Sequence, residues 1–179
     1  MHCYRNKYLW QLPLLLLLAF AGCRNEKKDP VSEEEFNYTK SKMVEVNKIL
    51  VRRDRQLIER YAERHGLDMK ETETGLWYEI IEKGSGEKVR SGKTVSLNYK
   101  VSLLSGTECY NSDKDGPKEF IVGKGNVESG LEEGILMLSE GSRARFILPP
   151  HLAYGLPGDG NKIPARAIII YDIDLLSVK

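Results

Sequence analysis

Apolar and polar positions change their period three times along this chain. Residues 12–21 form a short apolar run behind the basic Arg5 and Lys7. Residues 32–65 contain neither Gly nor Pro, and Phe36, Met43, Leu50 and Leu57 recur at seven-residue steps with Val46, Ile49 and Tyr61 beside them. That narrow stripe among Arg, Lys and Glu predicts an amphipathic helix over 32–66. Ser32 and Glu35 make its capping box, and Gly66 is its natural stop. About 33 helical residues extend about 50 Å. A lone helix cannot bury such a stripe, so it either pairs with a second copy or folds back on its own domain.

From residue 75 the period falls to two. Residues 94–104 alternate, with Val95, Leu97, Tyr99, Val101 and Leu103 on one face and Thr94, Ser96, Asn98, Lys100 and Ser102 on the other, as in a half-buried antiparallel strand. Residues 76–81 and 119–122 also read as strands, and Ala144, Phe146 and Leu148 alternate with Arg143, Arg145 and Ile147 on another. Val127, Leu131, Ile135 and Leu138 mark one face of a short helix, while 67–74 and 111–117 read as connections. Residues 167–176 are a nearly continuous apolar run with Asp172 and Asp174 on one face, a strand covered on one side and partly wet on the other. The expected fold is α+β: a five- to six-stranded antiparallel curved sheet wrapped over one short helix, preceded by a long N-terminal helix.

Between the last two strands, Gly155, Pro157, Gly158 and Gly160 forbid regular structure while limiting flexibility. Tyr154 stands at the start of this loop, Ile163 near its end and Tyr171 on the following strand, so the three can converge on one small apolar hollow, the geometry of a peptide-binding pocket.

Charge narrows the possible chemistry. Lys and Arg number 27 against 26 for Asp and Glu, so no basic excess points to nucleic acid. Gly123-Lys124-Gly125 lacks both the dinucleotide spacing and the Ser or Thr of a phosphate loop. His65 and His151 are far apart with no Cys or carboxylate at ligand spacing, so no metal is expected. Cys3, Cys23 and Cys109 make no disulfide framework, and Cys109 reads as a small apolar core residue.

The run at 12–21 is about half of the roughly 20 residues a membrane-spanning helix needs, which favours a cleaved export signal. Its ending, LAFAGC, resembles a bacterial lipoprotein signal cut before Cys23, whose thiol is then acylated. The expected layout is a signal over 1–22, acylated Cys23 with a polar tether to 31, the charged helix over 32–66, a linker over 67–74 and a domain over 75–179. Loss of 1–22 removes Arg5 and Lys7 and leaves acidic residues in excess by one.

Residues 127–176, VESGLEEGILMLSEGSRARFILPPHLAYGLPGDGNKIPARAIIIYDIDLL, resemble the second half of an FKBP-type peptidyl-prolyl isomerase. The shared pattern is a Val before a Gly-hydrophobic-Glu-Glu-Gly helix start, a Met-x-x-Gly turn, a Pro-x-x-x-Ala-Tyr-Gly segment, an Ile-Pro and a final apolar strand. The resemblance implies prolyl isomerisation without cofactor or metal, on X-Pro segments of exported proteins in a bacterial envelope. It also implies a site of Tyr154 and Tyr99 as catalytic residues, with Val127, Glu128, Leu131, Ile163, Tyr171 and Tyr110 around the substrate. Tyr154 would offer its hydroxyl to a substrate carbonyl, and the backbone near Val127 and Glu128 would pair with the peptide.

Several positions depart from the family's common pattern. Leu131 stands where Trp is frequent, Cys109-Tyr110 replace Phe-Asp, Lys118 replaces an aromatic, and Glu128 replaces Ile; Asp159 and Lys162 stand where His and Ile are common. These changes are expected to make the mouth more polar, to remove an acidic partner of Tyr154, to weaken or redirect catalysis and to disfavour macrolide ligands. The alternative they raise is a non-catalytic chaperone or peptide-binding module on the same scaffold. The remaining expected partners are the membrane, through the lipid anchor, and a second copy, through helix 32–66.

Overall fold

The structure, a computed structural model, describes residues 32–179. The expected signal over 1–22, Cys23 and the tether lie outside the described residues. The chain divides after Met43 into two compact units. In the first, helix α1 (Glu33–His65) begins. Ser32 Oγ accepts the Glu35 N–H at 3.2 Å, and the Ser32 carbonyl accepts the Phe36 N–H at 2.9 Å. The serine thus meets orphan donors of the first turn, where Glu33, Glu34 and Glu35 complement the dipole. Phe36, Tyr38 and Met43 are exposed.

In the second unit α1 continues to His65 and closes on Gly66. Gly66 takes φ +63°, its N–H reaches the Glu63 carbonyl at 3.3 Å, and the Leu67 N–H reaches Ala62 at 3.0 Å. That is a Schellman stop, which needs a residue without a Cβ penalty at the left-handed position. Asp54, Ile58 and Ala62 are the buried residues of α1. Ile58 packs with Trp77, Ile147, Ile168 and Ile170, and Leu57 and Tyr61 flank that cluster. The C-terminal half of the helix therefore folds back on its own domain. Its seam runs one position past Leu57, the residue the seven-residue spacing singles out. Burying Ile58 alone stabilises this docking by about 1.5–3 kcal/mol.

The sheet has seven strands rather than five or six. They are β1 (Lys70–Glu71), β2 (Trp77–Glu82), β3 (Thr94–Leu103), β4 (Glu108–Asn111), β5 (Lys118–Ile121), β6 (Arg143–Leu148) and β7 (Ile169–Val178). The order is β1-β2-β6-β7-β3-β4, with β5 also on β3, and every pairing is antiparallel. The strands not expected are β1, two polar residues too short to show a period, and β4, four residues of which only Cys109 is buried. The expected connection at 111–117 contains helix α2 (Ser112–Asp115), capped by Asn111, whose side chain accepts the Asp113 N–H at 3.0 Å. No helix among the described residues is long and apolar enough to cross a membrane.

The two faces of the sheet are covered differently. On one, helix α3 (Ser129–Ile135) packs through Gly130, Leu131, Gly134 and Ile135. A Cβ on Gly134 would lie 2.6 Å from Phe146 Cε2, and one on Gly130 would lie 2.8 Å from Leu148 Cγ. Those two glycines let α3 sit low enough to close the main core. On the other face, Arg143 pairs with Asp174 at 2.9 Å and Arg145 with Asp172 at 2.6 Å where water has access. Ile147 and Ile170 take over where α1 covers the same two strands. The near-continuous apolar run at the start of β7 thus reflects cover on both sides, while Asp172, Asp174 and Leu176 farther along keep the partly wet face that was expected.

Candidate functional site

Four segments converge at the α3 end of the core. β3 contributes Tyr99, and β4 contributes Tyr110. The approach to α3 brings Val127, Glu128 and Leu131, while the loop after β6, with β7, brings Tyr154, Ile163 and Tyr171. Leu131, Ile163 and Tyr171 are fully buried in the main core, with Tyr99, Tyr110, Val127 and Tyr154 packed against it as partly buried residues. The Tyr99 and Tyr171 ring centroids are 6.3 Å apart at 49°. Tyr99 is fixed from behind, where its N–H donates to Ser112 Oγ at 3.1 Å. α2, which the sequence pattern leaves as loop, is thus part of what holds this wall.

The loop carrying Tyr154 is rigid by construction. It opens with a 3₁₀ turn (Pro150–Leu152), and the Gly155 N–H then returns to the Pro150 carbonyl at 2.8 Å. Asp159 accepts the N–H groups of Asn161 and Ile163, each at 2.8 Å, and its own N–H donates to the Ile163 carbonyl at 3.1 Å. Gly158 adopts φ +74°, and a Cβ there would stand 2.3 Å from the Ile163 carbonyl oxygen, so no other residue fits. The Tyr110 hydroxyl donates to the Asp159 carboxylate and clasps the loop to β4. Lys162 Nζ lies 4.7 Å from the Tyr110 ring centroid. Tyr110 therefore serves as a wall and a clasp, with its hydroxyl turned to the loop. At the far end, Arg166 takes φ +56° and pairs through Nη2 with Asp54 Oδ2 at 2.9 Å, tying the loop's exit to α1.

The site holds more charge than a dry apolar hollow. The Tyr171 hydroxyl donates to Glu128 Oε1 at 3.1 Å and accepts from Lys118 Nζ at 3.3 Å. Lys118 Nζ also stands 5.2 Å from the Tyr99 ring centroid and 5.7 Å from that of Tyr171. Glu128 Oε2 is buried without a hydrogen-bond partner. Burial first, and then the Glu128 carboxylate, push the Tyr154 and Tyr171 hydroxyls up from the usual tyrosine value. Tyr99 is raised by burial and by Asp115 and Glu128. All three are protonated donors at neutral pH. The Glu128 carboxylate is thus the leading charge acting on both the Tyr154 and the Tyr171 hydroxyl.

Asp159, Lys118 and the Asp54–Arg166 pair are the site features that sequence reasoning missed as structural partners. For Asp159 a signal existed: an Asp between two glycines, two residues before Asn161, is a turn former that bonds its own backbone. Cys109 is buried, and burial with the nearby Asp159 charge raises its thiol, so it is no nucleophile at neutral pH.

Residues 85–176 match the family described as FKBP-type peptidyl-prolyl cis-trans isomerase. The isomerase FkpA of Escherichia coli is 36% identical over 122 residues, which are 68% of this chain and 43% of that protein. The FK506-binding protein 1A of Neurospora crassa is 36% identical over 107 residues, 59% of this chain and 89% of that one. Among solved structures, FkpA from Escherichia coli aligns with a TM-score of 0.63 at 29% identity, over 83% of this chain and 73% of that one. AtFKBP13 aligns with a TM-score of 0.60 at 26% identity, over 63% of this chain and 99% of that one. The chain spans less than half the length of the FkpA sequence it matches.

Proposed function

The chain belongs to the FKBP-type peptidyl-prolyl cis-trans isomerase family, and from that premise we propose that it catalyses rotation of X-Pro bonds in exported proteins of a bacterial envelope. The observation that carries this reading is the gathering of Tyr99, Tyr154 and Tyr171 around the buried Leu131 and Ile163. An X-Pro amide resists rotation by about 18–20 kcal/mol, and turning it requires neither nucleophile nor metal. Halfway round, the bond has lost its conjugation, so a water-poor site that grips the proline ring favours the twisted amide over the planar one. Tyr99 and Tyr171 would face the ring, Leu131 and Ile163 would form the floor, and Val127 would line the side. Tyr154, kept protonated, would donate to a substrate carbonyl. Each ~1.4 kcal/mol of this preference is a factor of ten in rate.

A protease-coupled assay of X-Pro peptides with the full chain tests the proposal. Acceleration that falls about tenfold in Tyr154→Phe supports it. The Lys118 ammonium over the two tyrosine rings favours a second reading, in which the cleft holds peptides without turning them. Binding without acceleration in the wild type would establish that reading instead.

The same proposal covers how the domain is held. Residues 1–22 would direct export and Cys23 would carry the acyl chains, several of which anchor stably where one does not. LAFAGC supports this, and lipid-probe labelling that persists in Cys23→Ser would refute it. The exposed Val46 and Ile49, and separately Phe36 and Met43, support pairing of two copies through helix 32–66. A chain begun at residue 75 would uncover Trp77, Ile147, Ile168 and Ile170, so the stripe is better broken by substitution. Sedimentation should show a dimer that Met43→Glu with Ile49→Glu dissociates; a monomeric wild type would sink the pairing.

A further inference from the structure

Two opposite charges share one buried hydroxyl in the site. The Tyr171 hydroxyl donates a hydrogen bond to Glu128 Oε1 at 3.1 Å and accepts one from Lys118 Nζ at 3.3 Å. Glu128 therefore has its counter-charge at one remove, through the tyrosine, and its second oxygen, Oε2, is buried with no donor. A carboxylate offers about four lone-pair positions, and leaving a buried one unmet is unfavourable.

The position of Lys118 makes this matter for substrate. Its ammonium stands over Tyr99 and Tyr171, at 5.2 and 5.7 Å from the ring centroids. Those are the faces a proline ring has to cover, so ring and ammonium compete for the same place. A proline ring on those faces would displace Lys118 and leave the half-buried Glu128 carboxylate without its nearby cation and with the buried Oε2 still unmet. A peptide with a neutral residue beside proline meets that cost, and one with an acidic residue adds repulsion. A lysine or arginine beside proline restores both the charge and the missing donor.

We propose that Glu128 sets the substrate preference, and that the site selects X-Pro segments carrying a basic side chain next to the proline, whose N–H groups pair with the unmet Oε2 once Lys118 is displaced. This rests on the isomerase reading for the position of proline, but it concerns recognition and can be read from binding alone. Asp159, the other carboxylate acting on Tyr154, already accepts from Tyr110, Asn161 and Ile163 and is committed to the loop.

The test uses the full chain and matched fluorescent peptides with Lys, Leu or Glu before proline, and a second set with these residues after it. Polarisation reads binding and prolyl exchange reads turnover. The wild type should bind the better Lys peptide about tenfold more tightly than its Leu partner, which corresponds to about 1.4 kcal/mol, with Glu weakest. Glu128→Gln keeps the shape and an acceptor for Tyr171, and should bring Lys and Leu within about twofold. Glu128→Ile should bind Leu better than Lys, and Lys118→Met should widen the wild-type preference. Equal binding of Lys and Leu peptides by the wild type, a preference unchanged in Glu128→Gln, or no binding of any peptide overturns the proposal. A basic preference in binding without acceleration of exchange sustains it and counts against the isomerase reading instead.

Discussion

Gly134→Ala sets two opposing effects against each other at the helix under the site. In an isolated helix the change would stabilise by about 1 kcal/mol, because glycine loses more backbone entropy on folding and alanine is the best helix former. In this fold the new Cβ would lie 2.6, 2.7 and 2.9 Å from Phe146 Cε2, Cζ and Cδ2. Carbon atoms rest at about 3.5–4.0 Å, so helix and ring must part by about 1 Å. The ring cannot step aside: Phe146 is fully buried and sits between Tyr78 on β2 and Tyr171 on β7. Overpacking of this kind costs about 1–3 kcal/mol, and a rigid ring caught by three of its atoms belongs at the upper end. The net expectation is a loss of about 2 kcal/mol. With a urea m-value of about 2 kcal/mol/M, that lowers the unfolding midpoint by about 1 M at unchanged m. The same displacement moves Leu131 and Glu128 away from Tyr171, so kcat/KM should fall with stability. Gly130→Ala meets the more adaptable Leu148 and should lose less. A Gly134→Ala protein more stable than wild type by the helix-propensity increment would refute the packing argument.

Two further outcomes follow from the loop. Asp54→Ala removes the partner of Arg166, in a pair whose side chains are 11% and 31% exposed, between the buried and the surface regimes. It should cost about 1–2 kcal/mol in urea unfolding and lower turnover by loosening the exit of the Tyr154 loop; loss of neither would show that α1 does not brace the site. Asp159 is partly desolvated, which raises its pKa, but bonds from Tyr110, Asn161 and Ile163 outweigh this and hold it below the usual aspartate value. A depressed carboxyl contributes stability that is present above the unfolded pKa of about 4 and lost as pH falls through the folded value. Acid titration of unfolding should therefore lose a component below about pH 4 that is missing in Asp159→Asn; identical acid profiles would show the clasp to be idle.

How far the chain can be read from its sequence follows how local each signal is. β3 shows its alternation because one face is buried along its length, and Val95, Leu97 and Val101 point into the core as the period requires. The stop of α1 at Gly66 and its start at Ser32 are equally local. The seam of α1 is not: Leu57 completes the seven-residue spacing, yet Ile58 and Ala62 make the contact, because the partner surface of Trp77, Ile147, Ile168 and Ile170 assembles only when three strands meet. The same holds for the site. Family register proposed Tyr99, Tyr154, Ile163 and Tyr171 together, and the fold brings them into one cluster. That the Glu128 carboxylate meets Tyr171 and that Lys118 lies over the rings are relations between segments, and spacing carries no trace of them, whereas the Asp159 turn is local and left its signal in the two flanking glycines.

The claim on which the account depends is that a proline ring is held against Tyr99, Tyr154 and Tyr171. Titration of an X-Pro peptide into the full chain carrying ring-labelled tyrosines, followed by NMR, addresses it most directly. The resonances of Tyr99, Tyr154 and Tyr171 should shift together and the peptide should show accelerated cis/trans exchange, while Tyr38 and Tyr61 on α1 stay unchanged. Shifts confined to Tyr38 and Tyr61, with the three site tyrosines silent, would contradict it.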